Sequence, residues 1–110
     1  MADWVVRYWA DVSENNAVEA WLDSLTKEQL KAVSKELILL GYAGNQLRLP
    51  HSRSLGSGLF ELRERKFGFR VYYGFMAGKV IVLLCAGDKS TQKKDIATAR
   101  ERLDELKGEK

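Results

Sequence analysis

Three short segments rich in β-branched and aromatic residues follow one another between residues 59 and 85, and they limit the possible folds more than any other feature. They run from Leu59 to Arg63, from Phe69 to Met76 and from Lys79 to Cys85. The dipeptide Ala77-Gly78 between the last two is typical of a tight hairpin turn. We therefore predict three antiparallel strands in a meander. Because Val80 to Leu84 is an apolar run, we expect the third strand to be covered on both faces and to lie inside the sheet.

One strand and two helices are predicted before the meander. The segment from Trp4 to Trp9 is aromatic and β-branched, which favours a strand. A first helix is expected from about Glu14 to Leu25. Its inward residues, spaced four apart, are Ala17, Trp21 and Leu25.

A capping-box pattern marks the start of the second helix. The hydroxyl of Thr26 and the amide of Gln29 can satisfy backbone N–H groups at a helix start. Gly41 is expected to end this helix in the left-handed conformation. The inward stripe of the helix is predicted to be Leu30, Val33, Leu37 and Leu40.

The remaining segments are a loop and a final helix. Residues 43–58 contain three glycines and Pro50 and read as a connecting loop. A helix capped by Ser90 or Thr91 is expected to run to about Leu106, with Ile96, Leu103 and Leu106 facing inward. The predicted fold is α+β, a small, mainly antiparallel four-stranded sheet packed by helices in the order β-α-α-β-β-β-α.

Composition narrows the class of protein. The 110 residues suit one domain spanning 1–110, and the net charge is +3. Residues 51–100 hold ten basic and four acidic side chains, so the positive charge lies in the second half. Since no apolar run is long enough for a membrane span and the start carries acidic residues, we expect a cytoplasmic protein without membrane association. A lone cysteine and a lone histidine argue against a disulfide or a metal site, and no cofactor is implied.

Basic residues converge in the meander and just after it. Alternation along a strand places Arg63 and Arg70 on one solvent-facing side of the sheet. The segment after the third strand then supplies Lys89, Lys93 and Lys94 at a helix start, where free N–H groups attract anions. These cations fit a phosphate site. They also fit ordinary solvated charges, with the arginines paired to a neighbour such as Glu61.

The same segments resemble a known family. The strings GLFELRERKFGFRVYY and KVIVLLCAGDKSTQKKDI, followed by Ala99 to Arg102 in an A-x-x-R helix, resemble the RelE/HigB superfamily of toxins from toxin–antitoxin modules. The phage-derived, HigB-like addiction-module branch is the most similar. The resemblance implies a RelE-like fold and a ribosome-dependent endoribonuclease that cuts mRNA without a metal. The ribose 2′-hydroxyl would attack the adjacent phosphate.

The resemblance also implies roles for individual residues. Arg70, Arg63 and Lys89 match catalytic positions and would stabilise charge in the transition state. His51 and Asp88 are possible acid–base groups, although His51 also suits a surface or loop-ordering role and Asp88 a capping role. The residues expected to bind RNA are Lys93, Lys94, Arg65, Lys66, Tyr72 and Arg53.

Partners follow from the same resemblance, and two other functions stay open. The expected partners are the ribosome with its mRNA and a cognate antitoxin carrying a helix-turn-helix domain, through which operator DNA would be bound. Glu61 and Ser90 stand where well-studied relatives carry basic residues. This departure leaves room for a non-enzymatic, ParE-like inhibitor of DNA gyrase. A basic interaction domain without toxicity is the third possibility.

Overall fold

The fold was obtained as a computed structural model that describes residues 4–11 and 16–108. Its strands are β1 (Val5–Tyr8), β2 (Ser52–Gly56), β3 (Leu59–Glu64), β4 (Phe69–Met76) and β5 (Val80–Asp88). Its α-helices are α1 (Ala17–Asp23), α2 (Lys27–Ala43) and α3 (Gln92–Leu106). Short 3-10 turns, Gly44–Gln46 and Lys89–Thr91, follow α2 and β5.

The strands of the described residues form one mixed sheet in the order β1-β5-β4-β3-β2. Strand β1 pairs with β5 in parallel, and the other neighbours are antiparallel. The α+β class and the meander are thus confirmed, and β5 lies inside the sheet as predicted. No helix in the described part of the chain is both long and apolar enough to cross a membrane.

The sheet contains one strand more than the four predicted. Strand β2 lies within the segment 43–58 that was expected to be a loop, and it pairs with β3 across a turn at Gly56, Ser57 and Gly58. All three turn residues have positive φ angles. The sequence Ser-Arg-Ser-Leu-Gly lacks the β-branched and aromatic residues that mark a strand. Its strand conformation comes from pairing with β3 at the sheet edge. The intrinsic propensities of its residues do not predict that pairing.

Helix α2 ends later than predicted. It continues through Gly41 to Ala43, and Gly44, with φ of +56°, ends it. A side chain at Gly44 would collide with the Trp4 ring, since its Cβ would lie 2.0 Å from the indole nitrogen. Gly41 instead lies in the helix beside Val6. The capping box of Thr26 and Gln29 is confirmed by reciprocal bonds of 3.2 and 2.9 Å.

Two expected inward stripes are displaced. In α1 the buried residues are Val18 and Leu22, rather than Ala17 and Trp21, and the helix spans seven residues. The predicted start at Glu14 lies outside the described residues. In α2, Val33 and Leu40 are buried as expected, but Leu30 is exposed. Leu106 in the last turn of α3 is also exposed.

Apolar clusters cover both faces of the sheet. On one face, α1 and α2 pack against a cluster that includes Leu62, Val71, Tyr73, Ile81 and Leu83. On the other, α3 supplies Ala99 and Leu103 to a cluster that includes Leu59, Tyr72, Val82, Leu84 and Cys85. We call these the hairpin face and the α3 face. The presence of a helix on each face explains why β5 is apolar without alternation.

A β-bulge in β5 sets which residues reach the α3 face. Tyr72 pairs with Cys85 and Tyr73 with Leu83, so Leu84 is an extra residue in the ladder. Leu84 and Cys85 both pack into the α3 face, and Ala86 packs against the hairpin face. Strict alternation from Leu83 would have placed Gly87 on the hairpin face. The bulge places it on the α3 face instead.

Candidate anion-binding site

The two arginines that were predicted to share one side of the sheet form the centre of the candidate site. Arg63 of β3 and Arg70 of β4 are direct cross-strand partners, so both side chains leave the sheet on the same side. Arg53 of β2 lies on that side too, opposite Glu61. We call Arg53, Arg63 and Arg70, together with Glu61, the arginine cluster.

The face that carries the arginine cluster is only partly open to solvent, so Arg63 is less exposed than the sequence predicted. Its side chain is only 34% exposed, and Glu61 beside it is completely buried. The Nε atoms of Arg63 and Arg70 are buried as well. Alternation identified the face correctly but carried no information about the start of α3, which packs over it.

Glu61 binds groups from three elements. Its Oε1 lies 3.2 Å from Nη2 of Arg53 and 4.0 Å from Nε of Arg63. Its Oε2 accepts a hydrogen bond of 2.8 Å from the side-chain amide of Gln92, the first residue of α3. One carboxylate therefore joins β2, β3 and α3.

Several buried polar atoms of this cluster lack a hydrogen-bond partner among the described residues. They are Nε of Arg63, Nε of Arg70, Oε1 of Glu61 and the hydroxyl of Tyr72. A buried donor that is left unpaired costs free energy, and a charged acceptor would remove that cost. The Nε atoms themselves are covered, but the side chains of Arg63 and Arg70 remain partly exposed, so an anion such as a phosphate can reach the two arginines from solvent.

Tyr72 lies beneath the cluster and is completely buried. A buried ring cannot stack on an RNA base, so the RNA-binding role expected for Tyr72 is wrong. Burial raises the pKa of its hydroxyl, and the carboxylates of Glu61 and Asp95 raise it further. The hydroxyl therefore remains protonated at neutral pH and does not serve as a base.

The end of β5 and the start of α3 border the arginine cluster. Gly87 is the cross-strand partner of Arg70, and a Cβ there would lie 2.1 Å from Oδ2 of Asp95 on α3. Lys89 follows two residues later and is exposed, as are Lys93 and Lys94 in the first turn of α3. The lysines thus follow closely on the strand that borders Arg70.

Asp88 and Thr91 organise this junction. The Asp88 carboxylate accepts a hydrogen bond of 2.9 Å from the backbone N–H of Ser90. It also accepts one from the Ser90 hydroxyl. These bonds lower the pKa of Asp88 below its ordinary value. Thr91 occupies the N-cap position predicted for Ser90 or Thr91, but its hydroxyl donates to Asp95 rather than capping the backbone. In this structure Asp88 therefore acts as a cap of the turn.

His51 lies on the other side of the sheet. Its Nδ1 is 3.0 Å from the carboxylate of Glu36 on α2, which packs on the hairpin face. The structure therefore does not bring His51 together with Arg70. The pairing with α2 matches the loop-ordering role considered for this residue.

Arg65 and Lys66 are also separated from the arginine cluster. Both are exposed in the turn between β3 and β4, where they line a groove of about 660 Å³ shared with α2. Lys66 lies 3.9 Å from Glu28 of α2. Buried Glu64 fixes the turn by accepting the backbone N–H groups of Lys66 and Phe67.

Sequence reasoning named Glu61 only as a possible ion-pair partner of the arginines, and it missed Gln92, Asp95 and Gly87 as parts of the site. A signal existed for Glu61, because alternation in LFELR places it on the face of Arg63. For Gln92 and Asp95 the sequence offers no signal, since their roles depend on how α3 packs. Among the described residues, no group of three or more histidine, cysteine or acidic side chains could hold a metal ion.

Comparison with known proteins assigns the class. The model of the family described as phage derived protein Gp49-like matches residues 20–104. A relative from Haemophilus influenzae, described as an uncharacterized protein, is 38% identical over 89 residues, which cover 80% of this chain and 87% of the relative. The chain belongs to the phage-derived Gp49-like family.

Solved structures share the fold. A mutant of the Escherichia coli toxin RelE in the free state superposes with a TM-score of 0.65 at 16% identity, covering 93% of this chain and 98% of that one. The archaeal RelE–RelB complex from Pyrococcus horikoshii gives 0.53 at 22% identity, with coverages of 79% and 96%. The isolated E. coli RelE toxin gives 0.55 at 15%, with coverages of 86% and 96%. These likenesses confirm the RelE-like fold that the sequence predicted.

Proposed function

We propose that this protein is the toxin of a toxin–antitoxin module and acts as a ribosome-dependent endoribonuclease on mRNA. The observation that carries this proposal is the cross-strand pair Arg63 and Arg70, which places two partly exposed guanidinium side chains on one side of the sheet. Two fixed guanidinium groups on one face suit a phosphodiester, because arginine presents a planar fork of donors to phosphate oxygens.

The proposed reaction needs no metal. The 2′-oxygen of a ribose bonds to the adjacent phosphorus, its proton passes to a base, and the bond from phosphorus to the 5′-oxygen breaks. The products are a 2′,3′-cyclic phosphate and a 5′-hydroxyl that has gained a proton. Arg63 and Arg70 would stabilise the additional negative charge on the phosphorane, and Lys89 would add to that field. Preorganised donors of this kind are worth several kcal/mol each.

We propose that the acid and base of this reaction are not the two groups considered in the sequence. His51 is paired with Glu36 on the hairpin side, and the Asp88 carboxylate is occupied by Ser90. We therefore assign charge stabilisation to this chain and propose that reacting protons exchange with groups brought by the ribosome or by water. Lys93, Lys94 and Arg53 are proposed to bind RNA beside the cut phosphate.

Expression of Arg70→Ala tests the proposal. New mRNA 5′ ends should form when the wild type is expressed and should fall at least about 100-fold in Arg70→Ala, since one lost transition-state donor costs about 10²–10³ in rate. Arg7→Ala removes the same charge from exposed β1 and should cleave like the wild type. Cleavage by purified protein should require ribosomes.

Two outcomes would overturn the proposal. Intact transcripts together with cleaved or relaxed plasmid would favour gyrase inhibition instead, and unimpaired growth on expression would exclude any toxic role.

The proposed partner is a small cognate antitoxin with a helix-turn-helix domain, which would also bind operator DNA. One solved structure with this fold is a RelE–RelB complex, which supports a partner of this kind. Co-expression of the protein encoded beside this chain should restore growth and co-purify with it. Continued growth arrest despite soluble expression of that protein would contradict the proposal.

A further inference from the structure

Glu61 presents an unusual combination of burial and charge. Its side chain is completely buried, yet it lies between the guanidinium groups of Arg53 and Arg63, at 3.2 and 4.0 Å. Moving a carboxylate out of water is costly unless opposite charges and hydrogen bonds compensate it. The contacts to Arg53, Arg63 and Gln92 are that compensation.

The position of the arginines explains why a carboxylate is needed there. Arg63 and Arg70 are directly opposite each other on neighbouring strands, and like charges in such a pair repel. Arg53 brings a third positive charge to the adjacent row of the sheet. In a partly buried site this repulsion is only weakly screened, so without Glu61 the arginine side chains would turn apart toward solvent.

We propose that Glu61 is the positioning residue of the site: it holds the arginines in one arrangement and itself never touches the RNA. Its link to Gln92 also fixes the start of α3, and so the lysines that follow, relative to β3. This inference rests on the proposed nuclease function, because the arrangement it explains is the one assigned to the phosphorane.

The Glu61→Gln variant separates positioning from binding. Glutamine has nearly the same shape and keeps an acceptor for Gln92, but it removes the negative charge. On mRNA-programmed ribosomes we expect kcat to fall about 10- to 100-fold, the size expected from small misplacement of catalytic groups. KM should stay the same or decrease, since the site gains one net positive charge. Because a loss of folded protein would also lower the apparent kcat at unchanged KM, kcat is expressed per folded molecule, as counted by near-UV circular dichroism.

A double-mutant cycle tests the route through Arg63. In an Arg63→Ala background, Glu61→Gln should lower kcat less than about threefold, because much of what it positions is already gone. The exposed Glu101→Gln, which removes the same charge from α3 far along the helix, is the control and should leave kcat unchanged. An equal loss from Glu61→Gln in both backgrounds, or wild-type kcat in folded Glu61→Gln, would overturn the proposal.

A second measurement does not depend on cleavage. The Arg63 Nε–H resonance should be resolved and slow to exchange in the wild type and should broaden in Glu61→Gln. An unchanged resonance would overturn the positioning role even if the nuclease function holds. Conversely, a wild type that cuts no RNA would refute the proposed function while this resonance still reports on Glu61.

The Glu61→Asp variant replaces Glu61→Gln if the latter fails to fold. It keeps the charge and withdraws the carboxylate by one methylene. Wild-type kcat in that variant would equally contradict the proposal.

Discussion

At the scale of single residues, Tyr72 and Tyr73 are neighbours on β4, but their hydroxyl groups have different surroundings. Tyr73 points to the hairpin face, where its hydroxyl bonds to the buried hydroxyl of Ser52. Tyr72 points to the α3 face, where its hydroxyl lacks a partner among the described residues. Two tyrosines of equal burial therefore differ in what their hydroxyls contribute to stability.

Removing each hydroxyl should show this difference. Tyr73→Phe leaves Ser52 buried without its partner and should lower the free energy of unfolding by about 1–3 kcal/mol. Tyr72→Phe removes a buried hydroxyl that has no hydrogen-bond partner among the described residues, and it should leave that free energy unchanged or raise it by up to about 1 kcal/mol. Urea unfolding at constant m value measures both. A larger loss from Tyr72→Phe than from Tyr73→Phe would contradict this interpretation.

At the scale of elements, α3 is fastened to the sheet by arginines as well as by apolar contacts. Arg102 donates to the carbonyl of Leu84 at 2.7 Å and lies over the Trp9 ring. Arg100 donates to the carbonyls of Leu55 and Gly56 at 3.1 and 3.3 Å. These bonds tie the hairpin between β2 and β3 to the helix, and β2 carries Arg53.

Loss of the Arg100 bonds should loosen that hairpin selectively. We expect Arg100→Ala to destabilise the protein by about 1–2 kcal/mol, since bonds from a charged donor exceed neutral ones. Amide hydrogen exchange should accelerate in β2 and much less in β4, which has strands on both sides. Arg65→Ala, an arginine of the opposite groove, is the control. Uniform acceleration across the sheet would argue against a local tether.

The same elements show what the sequence can and cannot reveal. Periodicity located β3, β4, β5 and the capping box of α2, because these depend on local patterns. It missed β2, whose strand conformation comes from its neighbour, and it chose Gly41 instead of Gly44, whose role depends on contact with Trp4. In the site, alternation correctly placed Arg63 and Arg70 on the same side of the sheet. The burial of Glu61 and Tyr72 was not predictable, since it arises from α3 packing over that face.

At the scale of the whole molecule, the two sides of the sheet have different characters. The side that carries the arginine cluster also receives Lys89, Lys93 and Lys94 from the start of α3. The three arginines and three lysines of this region face three acidic side chains, which are Glu61, Asp88 and Asp95. On the other side, the lysines of α2 alternate with acidic residues around the shared groove. We therefore expect RNA to approach from the α3 side.

Salt dependence can test this direction of approach. Each phosphate contact on single-stranded RNA adds about 0.7 to the slope of log K against log salt. The double variant Lys93→Ala with Lys94→Ala should lower the slope for ribosome binding by about 1–2. Lys31→Ala with Lys35→Ala removes the same charge from α2 and should leave the slope unchanged. Equal reductions in the two variants would show that charge acts without regard to the side of the sheet.

The extra residue at Leu84 bears on how chains of this family can differ in length. Omitting it would restore regular pairing in β5, with Cys85 still opposite Tyr72 and Gly87 still opposite Arg70. The molecule would lose one leucine from its interior but no residue would change sides. A relative shorter by one amino acid could therefore keep the same arrangement of the arginine cluster, and the gap in a comparison of the two sequences belongs at Leu84.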